Sequence, residues 1–395
     1  MSSMMWRDGT VLALRRGWGA AGRRCAELDV RVCGAPAGAS VMTAGEELRA
    51  VVYETLTGIP GPGERVRLEV SALDRALGTG GHAMVCARLD VLPEDSARAG
   101  HLVKARYMPD QVVVAGADEQ DTEHHGLLSR PVDELALDGT PVVIADLHSS
   151  LPAVLAGARA TGGARAPVRA VYVMTDGGAL PLPYSRAAAA LREAGWLAAT
   201  VSAGQAWGGD IEAVSVHNAL LAARRVLGAD LIVLAQGPGN LGTDTPWGFS
   251  GVACGDAVNA VAALGGRAVA CLRVSQADAR ERHRGVSHHS LTAYGRVALT
   301  AADIVVPGLP GALGEQIDAQ ARELCGPRPR GARHHRVDTG VDGLTEVLEE
   351  AQNATGIRLS TMGRGLHEDT AAFLAAAAAG RYAETLLHEQ APEAA

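Results

Sequence analysis

Three histidines and two arginines lie within eight residues of the chain, at Arg282, His283, Arg284, His288 and His289. Ser287 is a natural N-cap for a helix over 287–299, so His288 and His289 would occupy its first turn, where the helix dipole should lower their pKa. Neutral imidazoles act as bases, ligands or hydrogen-bond donors, and guanidinium groups hold anions. We predict that the three histidines are catalytic and that Arg282 and Arg284 bind an anion. A polar loop with capping histidines is the alternative.

Acidic residues and one further histidine follow the ends of predicted strands. Asp146 and His148 are two residues apart, so both side chains would point the same way on an extended chain. Asp146 and Asp176 are candidate catalytic partners of the histidines. Alternatively, Asp146, His148 and Asp210 hold a divalent metal, and magnesium, manganese and zinc all stay open. No two histidines are four residues apart, as they would be on a zinc-binding helix.

A glycine-rich segment follows another predicted strand and satisfies G-x-G-x-x-G with Gly237, Gly239 and Gly242. NAD or FAD binding is disfavoured, because residues 243–248 delay the following helix and the acid expected about 20 residues later is missing. A wider nest of backbone amides for phosphate or carboxylate fits better. The predicted anion-binding set is therefore Gly237, Gly239, Asn240, Gly242 and Thr243. A turn that needs glycine only for its backbone angles is the alternative.

The cations of the chain are almost all arginine, and Lys104 is one lysine among 36 Lys and Arg residues. A compact ammonium group differs chemically from a planar guanidinium group. A lysine that persists in such a composition is a candidate anion ligand, although chance persistence explains it too. Lys104 therefore joins the predicted anion-binding residues.

Charge and hydropathy restrict the classes of partner. The net charge of −8 argues against nucleic acid and anionic membranes, which need a basic face. The longest apolar runs, such as 371–379, are shorter than the roughly 18 residues that cross a bilayer, and residues 1–10 do not resemble a signal peptide. We expect a soluble cytoplasmic protein that binds a small anionic molecule. A homo-oligomer stays open.

The elements that must position these residues begin after residue 140, where β-branched runs alternate with amphipathic alanine- and leucine-rich stretches. Strands are predicted at 141–145, 169–174, 197–202, 230–235, 267–274 and 303–307. The predicted fold class is α/β, a doubly wound, mostly parallel, Rossmann-like three-layer sheet after a small β-rich domain. The predicted boundaries are 1–95 for the β-rich barrel or sandwich, 96–140 for a connector, 141–353 for the sheet and 354–395 for a C-terminal docking helix.

Five segments of the chain carry a family resemblance: TDGGALP, GGDIEAV, GPGNLGT, GFSG and RERHRGVSHHS. Together they resemble a bacterial family classed only as a domain of unknown function, seen in actinobacteria and firmicutes. The resemblance covers almost the whole chain and implies no activity. Asp244 stands where glycine is more frequent in that family, which places a carboxylate in the glycine-rich loop.

Ligands of open parallel sheets bind at the carboxyl ends of the strands, where all of these loops would lie. The favoured interpretation is an enzyme, a hydrolase or group transferase, that acts on a phosphorylated or otherwise anionic small molecule there. Such chemistry needs mainly oriented donors, a base and a cation. The alternative is a non-catalytic module that senses a nucleotide or metabolite. The predicted catalytic arrangement requires Asn240 and His289 to meet in a single cavity.

Overall fold

The computed structural model describes residues 4–95, 99–160 and 168–389 of the chain. Residues 1–3, 96–98, 161–167 and 390–395, which fall within the four predicted segments, lie outside the described residues. The chain divides into two compact units. One comprises Met1–Ala99 with Val103–Val113, and the other comprises Gly100–Leu102 with Val114–Ala395.

The first unit contains a small closed barrel, which confirms the predicted β-rich domain. Apolar residues at every second position, such as Val66 and Leu68, point into its core. The strand order is β1-β2-β3-β5-β4; β1 pairs with β4 to close the barrel, and β3 pairs with β5 in parallel. The elements are β1 (Trp6–Trp18), β2 (Cys25–Gly34), β3 (Glu47–Tyr53), α1 (Glu54–Thr57), β4 (Arg65–Glu69), α2 (Ser71–Asp74) and β5 (Ala83–Arg88).

Short elements follow the barrel strands along the chain and precede the large sheet. They are β6 (Leu102–Lys104), β7 (Val112–Val114) and α3 (His125–Leu128).

The second unit is built on an eight-stranded sheet in which every neighbouring pair of strands is parallel. Its order is β11-β10-β9-β12-β8-β13-β16-β17. The predicted α/β fold with a mostly parallel sheet is therefore confirmed. The sheet strands are β8 (Pro141–Ala145), β9 (Ala170–Thr175), β10 (Ala199–Ala203), β11 (Ile211–Ala213), β12 (Leu231–Gln236), β13 (Arg267–Cys271), β16 (Asp303–Pro307) and β17 (His335–Thr339).

Helices cover both faces of this sheet, so its strands are apolar on both sides. Successive residues of β8 alternate between two separate cores, with Val142 and Ile144 in one and Val143 and Ala145 in the other. The first core also contains residues of α6 (Val216–Leu221), α7 (Ala253–Ala263), α8 (His288–Thr292) and α9 (Gly311–Leu324), and the second contains residues of α4 (Leu151–Ala160), α5 (Arg186–Glu193), α10 (Leu344–Thr355) and α11 (Thr370–Glu389). α6 and α8 run on into π-helical turns at Ala222–Val226 and Ala293–Val297.

Right-handed crossovers explain which helix covers which face. The chain steps from β8 to β9 to β10 with α4 and α5 on one face, and then returns through β12, β13, β16 and β17 with α6 to α9 on the other. β8 consequently leads to a helix on one face of the sheet, whereas its neighbours β12 and β13 lead to helices on the other face. Such a switch of direction opens a crevice at the carboxyl ends of the strands, which is where ligands bind in open α/β sheets.

Two short hairpins complete this unit. One pairs β14 (Val274–Ser275) with β15 (Gly285–Val286), and the other pairs β18 (Ser360–Thr361) with β19 (Arg364–Gly365). The first hairpin carries the chain from the end of β13 to the start of α8. Within the described ranges, no helix is both long enough and apolar enough to cross a lipid bilayer.

Small residues let α4 and α11 pack in close contact. A Cβ atom added at Gly157 would lie 1.9 Å from the carbonyl oxygen of Ala377, and one at Gly380 would lie 1.9 Å from that of Val154. Both distances are too short for any side chain, so the two glycines bring the helix backbones together. The alanine-rich composition of α11 is therefore a packing requirement of this helix pair.

We expect Gly157→Ala to lower the free energy of unfolding by about 2 kcal/mol or more, because the added methyl group must push α11 away from α4. Denaturant unfolding followed by circular dichroism measures the change. Gly126→Ala is the matched control, since a Cβ atom there meets nothing within 4 Å, and it should be close to neutral. Equal stability of the Gly157→Ala and Gly126→Ala proteins would contradict this packing argument.

Candidate functional site

The loops at the carboxyl edge of the sheet converge on the carboxylate of Asp146. Asp146 directly follows β8 and is only 4% exposed. Its Oδ2 atom accepts hydrogen bonds from Arg273 Nη1 and His289 Nδ1, each at 2.9 Å. Its Oδ1 atom accepts one from Asn240 Nδ2 at 3.1 Å. The structure therefore brings Asn240 and His289, which are far apart in the sequence, to one buried side chain.

Two further residues fix Asp146 in place. Gln236, the last residue of β12, donates from Nε2 to the Asp146 carbonyl oxygen at 2.9 Å and to Asn240 Oδ1 at 2.7 Å. Gly251 packs directly against the carboxylate, since an added Cβ atom would lie 1.7 Å from Asp146 Oδ1. Any larger residue at position 251 would displace the carboxylate from its donors.

The contacts of His289 determine which ring nitrogen carries its proton. A carboxylate has only lone pairs to offer, so Nδ1 at 2.9 Å from Asp146 Oδ2 must carry a hydrogen and donate it. Arg273 Nη1 also lies 2.9 Å from Nδ1, but its own hydrogen has the Asp146 oxygen as acceptor. In the neutral ring, His289 Nε2 therefore keeps an unshared electron pair.

Two more histidines lie beside His289. One nitrogen from each of His283, His288 and His289 lies within 4.8 Å of the others. Ser287 is the N-cap of α8, as predicted: its Oγ accepts from His289 N at 3.2 Å and lies 2.7 Å from His283 Nδ1. Phe249 stacks on the His289 ring with 3.8 Å between the ring centroids. The three imidazoles are thus held in one cluster, which we call the histidine cluster.

Burial keeps the outer histidines of this cluster neutral. Burial, followed by the charge of Arg273, lowers the pKa of His283 to about 3. Burial is also the largest cause that lowers the pKa of His288 to about 4. Burial alone would raise the pKa of Asp146, but the hydrogen bond from His289 and the charge of Arg273 outweigh it, and the pKa is lowered. At neutral pH the site therefore combines an ionised carboxylate with the uncharged imidazoles of His283 and His288.

A buried polar network anchors the loop that leads to the histidine cluster. Asp369, fully buried, accepts hydrogen bonds from Ser275 Oγ at 2.6 Å and from Gln276 N at 2.9 Å. Arg364 lies between two acids, 2.9 Å from Asp369 Oδ2 and 3.4 Å from Asp278 Oδ2. These bonds tie the segment after β13 to the C-terminal part of the chain and hold its conformation.

The glycine-rich segment serves close packing as well as the site. An added Cβ atom at Gly237 would lie 2.2 Å from a carbonyl oxygen of the loop after β9. Gly239 has a φ of 85°, in the left-handed region that favours glycine. Gly242 and Thr243 begin a short hairpin, in which Thr243 N donates to the carbonyl oxygen five residues later at 2.7 Å. Asn240 is the member of the predicted set whose side chain reaches the central carboxylate.

The predicted anion-binding cations have different surroundings. Arg282 forms an ion pair with Asp244 of the glycine-rich loop. Arg284 donates from Nε to the carbonyl oxygen of Asp278 at 2.9 Å. Each guanidinium has five N–H donors, so these bonds engage only part of its capacity. Lys104 is buried and belongs to the other compact unit of the chain.

Three of the predicted acidic and metal-binding residues form hydrogen bonds with residues other than Asp146 and the histidine cluster: Asp176, Asp210 and His148. Asp176 is exposed and accepts a hydrogen bond from Gln205 N at 2.9 Å. Asp210 accepts one from Thr200 N, also at 2.9 Å. Among the described residues, the histidine cluster brings together three groups that could bind one metal ion. Asp146, His148 and Asp210, the predicted metal ligands, do not form such a group.

His148 faces away from the central carboxylate because β8 ends at Ala145 and a 3-10 turn begins at His148 itself, which breaks the alternation of an extended chain. Tyr172 Oη donates to the Gln236 carbonyl oxygen at 3.2 Å, so it accepts from His148 Nδ1, 2.9 Å away. Ser185 Oγ accepts from a backbone amide of α5 and donates to His148 Nε2 at 2.8 Å. Both ring nitrogens are thus used, and burial lowers the pKa of His148 to about 4.

A cavity of about 290 Å³ lies at the carboxyl ends of β8, β9 and β12. Its apolar lining includes Ala145, Leu234 and Ala257, and its polar lining includes Asp176 and Gln236. Gln236 also donates to the Asp146 carbonyl oxygen, so it connects the cavity wall to the residue with the central carboxylate. Of the described residues, those that line this cavity include neither Asn240 nor a histidine of the cluster.

Several residues of the site were missed by the sequence analysis. Arg273, 8% exposed at its side chain, makes the ion pair with Asp146, and Phe249 and Gly251 shape the site as described above. A signal for Arg273 existed, because an arginine two residues after the end of an apolar parallel strand stands at the carboxyl edge of the sheet. Gln236, the last residue of its strand, carries the same signal.

A family model described as "Protein of unknown function (DUF3866)" matches residues 49–380 of this chain. The match covers most of the chain, and the chain belongs to this family. The resemblance expected from the sequence is therefore confirmed. No curated protein and no solved structure matched the chain.

The hydrogen bonds of His148 predict a pH-dependent stability. Its pKa is lowered in the folded state, so the stability it contributes is present above the unfolded value of 6.5 and is lost as the pH falls towards 4. Protonation of Nε2 would break the bond from Ser185. We expect the free energy of unfolding to fall by up to about 2 kcal/mol over this range through His148.

Denaturant unfolding at a series of pH values measures this effect. The His148→Asn protein should lose less stability between pH 6.5 and pH 4 than the natural chain does, because a neutral amide replaces the imidazole. Identical pH profiles for both proteins would show that His148 is not the source.

Proposed function

We propose that this member of the DUF3866 family is an enzyme that hydrolyses an anionic small molecule, or transfers a group from it, at the carboxyl edge of the parallel sheet. The observation that carries the proposal is the buried hydrogen bond between Asp146 Oδ2 and His289 Nδ1, 2.9 Å long. A carboxylate that fixes the tautomer of a histidine is a recurring device of catalytic sites. It directs chemistry to His289 Nε2.

The Asp146–His289 pair supports proton transfer. The electron pair on Nε2 can accept a proton from a water molecule or from the hydroxyl group of an acceptor. The carboxylate next to Nδ1 would then stabilise the imidazolium ion. Arg273 assists by keeping this carboxylate ionised, in agreement with the lowered pKa of Asp146. A positioned base of this kind contributes roughly 10²- to 10⁴-fold to a reaction rate.

Positive charge around the cluster supports an anionic substrate. The charges of Arg273, Arg280 and Arg282 are among the causes that lower the pKa values of His283 and His288. The same field attracts a phosphate or carboxylate group. Guanidinium donors that are free of the internal ion pairs can bind its oxygens in a bidentate manner.

The position of the cluster in the fold supports the proposal independently of charge. Asp146 and Arg273 follow neighbouring strands, and Gln236 ends the strand on the other side of β8. This is the place where crossovers leave on opposite faces and where open α/β sheets bind their ligands. The cavity that Gln236 lines provides room for a small molecule.

Turnover of simple anionic esters tests the proposal. The full-length chain is offered p-nitrophenyl phosphate, bis-p-nitrophenyl phosphate, p-nitrophenyl sulfate and a dicarboxylic acid p-nitrophenyl monoester. We expect turnover of at least one of them, and the Asp146→Asn protein should lose at least about 100-fold in kcat. His367→Ala is the control, since the His367 side chain is 73% exposed and does not belong to the cluster.

Melting curves of both variants establish that they fold. A sensor module without catalysis predicts a different result: one of these anions binds and raises the melting temperature, yet no ester is turned over. That result, or full turnover by the Asp146→Asn protein, would overturn the proposed enzymatic function.

A further inference from the structure

We propose that His283, His288 and His289 together bind one divalent transition-metal ion, of which zinc is the best match. This inference rests on the proposed function and deepens it by naming a cofactor for the same site. An ion on His289 Nε2 would use the electron pair that is proposed above as the base, and a water molecule on the ion would then supply the nucleophile. The primary observation is that one ring nitrogen of each histidine lies within 4.8 Å of the other two. A tetrahedral ion with Zn–N bonds of about 2.0–2.1 Å would draw these atoms closer together.

Hydrogen bonds to the far side of the rings leave the required nitrogens available. His289 gives its Nδ1 hydrogen to Asp146, 2.9 Å away, and its Nε2 remains for a metal. His283 Nδ1 lies 2.7 Å from Ser287 Oγ, which can accept its hydrogen and leave Nε2 in the same state. A metal-binding histidine nearly always has such a partner, a carboxylate or another oxygen, at its second nitrogen.

Tight packing holds the three histidine side chains in fixed positions next to one another. Phe249 stacks on His289 at 3.8 Å and meets the edge of His288 at 5.6 Å between centroids. His283 and His289 are almost completely buried. The conformational entropy lost on binding an ion is therefore small, because folding has already fixed these side chains.

The nature of the donors selects the metal. Three imidazole nitrogens suit zinc and its first-row neighbours, whereas magnesium and calcium prefer carboxylate and carbonyl oxygens. Three protein ligands also leave a fourth coordination position open, as in catalytic zinc sites and unlike structural ones.

Three nearby arginines, Arg273, Arg280 and Arg282, do not prevent a cation from binding, because each of the three has an acidic partner. Arg273 pairs with Asp146 at 2.9 Å, and Arg280 pairs with Asp278 at 2.9 Å. Arg282 pairs with Asp244. The positive electrostatic potential at the cluster is therefore lower than three unpaired arginines would produce. A bound metal ion would add positive charge that attracts an anionic substrate.

The experiment titrates the untagged full-length chain, freed of metal with a chelator, with zinc chloride alone and with cobalt chloride alone. Calorimetry gives the stoichiometry and affinity, and the visible absorption of Co²⁺ reports tetrahedral coordination. We expect one ion per chain. His283→Ala and His288→Ala should each weaken binding by about 100-fold or more, and the control His367→Ala should not change it.

Asp146→Asn provides a second line of evidence, since Asp146 is a positioning residue that does not touch the ion. Loss of its carboxylate should weaken zinc binding by about 10- to 100-fold and alter the Co²⁺ spectrum. Ser287→Ala tests the partner of His283 in the same way. Circular dichroism melting curves show whether Asp146→Asn and Ser287→Ala fold. If one of these two variants does not fold, the other one still tests the inference.

The outcomes for the metal and for the enzyme can be separated. Absence of stoichiometric zinc or cobalt binding, or binding that neither His283→Ala nor His288→Ala weakens, overturns this inference. Ester turnover that persists with chelator would then leave the enzyme proposal intact. Stoichiometric binding that depends on the three histidines supports the inference, even where no ester is turned over.

Discussion

A buried, ionised carboxylate costs several kcal/mol unless charged and hydrogen-bonding partners surround it, and the architecture around Asp146 supplies such partners. The donors come from three separate segments: Asn240 after β12, Arg273 after β13 and His289 in α8. The parallel order of the strands brings these segments to one edge, and Gly251 leaves room for the carboxylate. The same pairing that stabilises the charge also places the hydrogen of His289 on Nδ1, so stability and chemistry depend on one interaction.

Much of the fold could be predicted because central parallel strands have a strong signal. The bounds of β8 and β16 agree with the prediction, since both are short apolar runs that helices cover on each face. The edge strands β11 and β17 were missed, because Ile-Glu-Ala and His-Arg-Val-Asp-Thr lack an apolar run. His334 lies in a segment of arginines and histidines with no apolar run, yet it is buried and accepts a hydrogen bond from Ala302 N at 3.1 Å. Whether such residues are buried or form a strand depends on tertiary contacts, and local sequence patterns carry no information about these contacts.

The site could be predicted as a set of loops but not as a set of bonds. Asn240, Asp146 and His289 were among the candidates, and their meeting follows from the topology of the sheet. Their partner Arg273 was missed, because the register that aims it at Asp146 is set by β13 packing beside β8. His148 was predicted to share a face with Asp146, but the 3-10 turn at His148–Ser150 rotates it towards Tyr172.

The central claim is that Asp146 holds the Nδ1 hydrogen of His289 and leaves Nε2 bare. Nitrogen NMR of the metal-free chain, labelled with ¹⁵N at its histidine rings, measures the tautomer at pH 7 directly, with a His289→Gln protein to assign the signals. The account predicts a hydrogen on Nδ1 and a Nε2 shift typical of a nitrogen that carries none. A protonated Nε2 beside a bare Nδ1 would contradict it, because Asp146 would then face a lone pair.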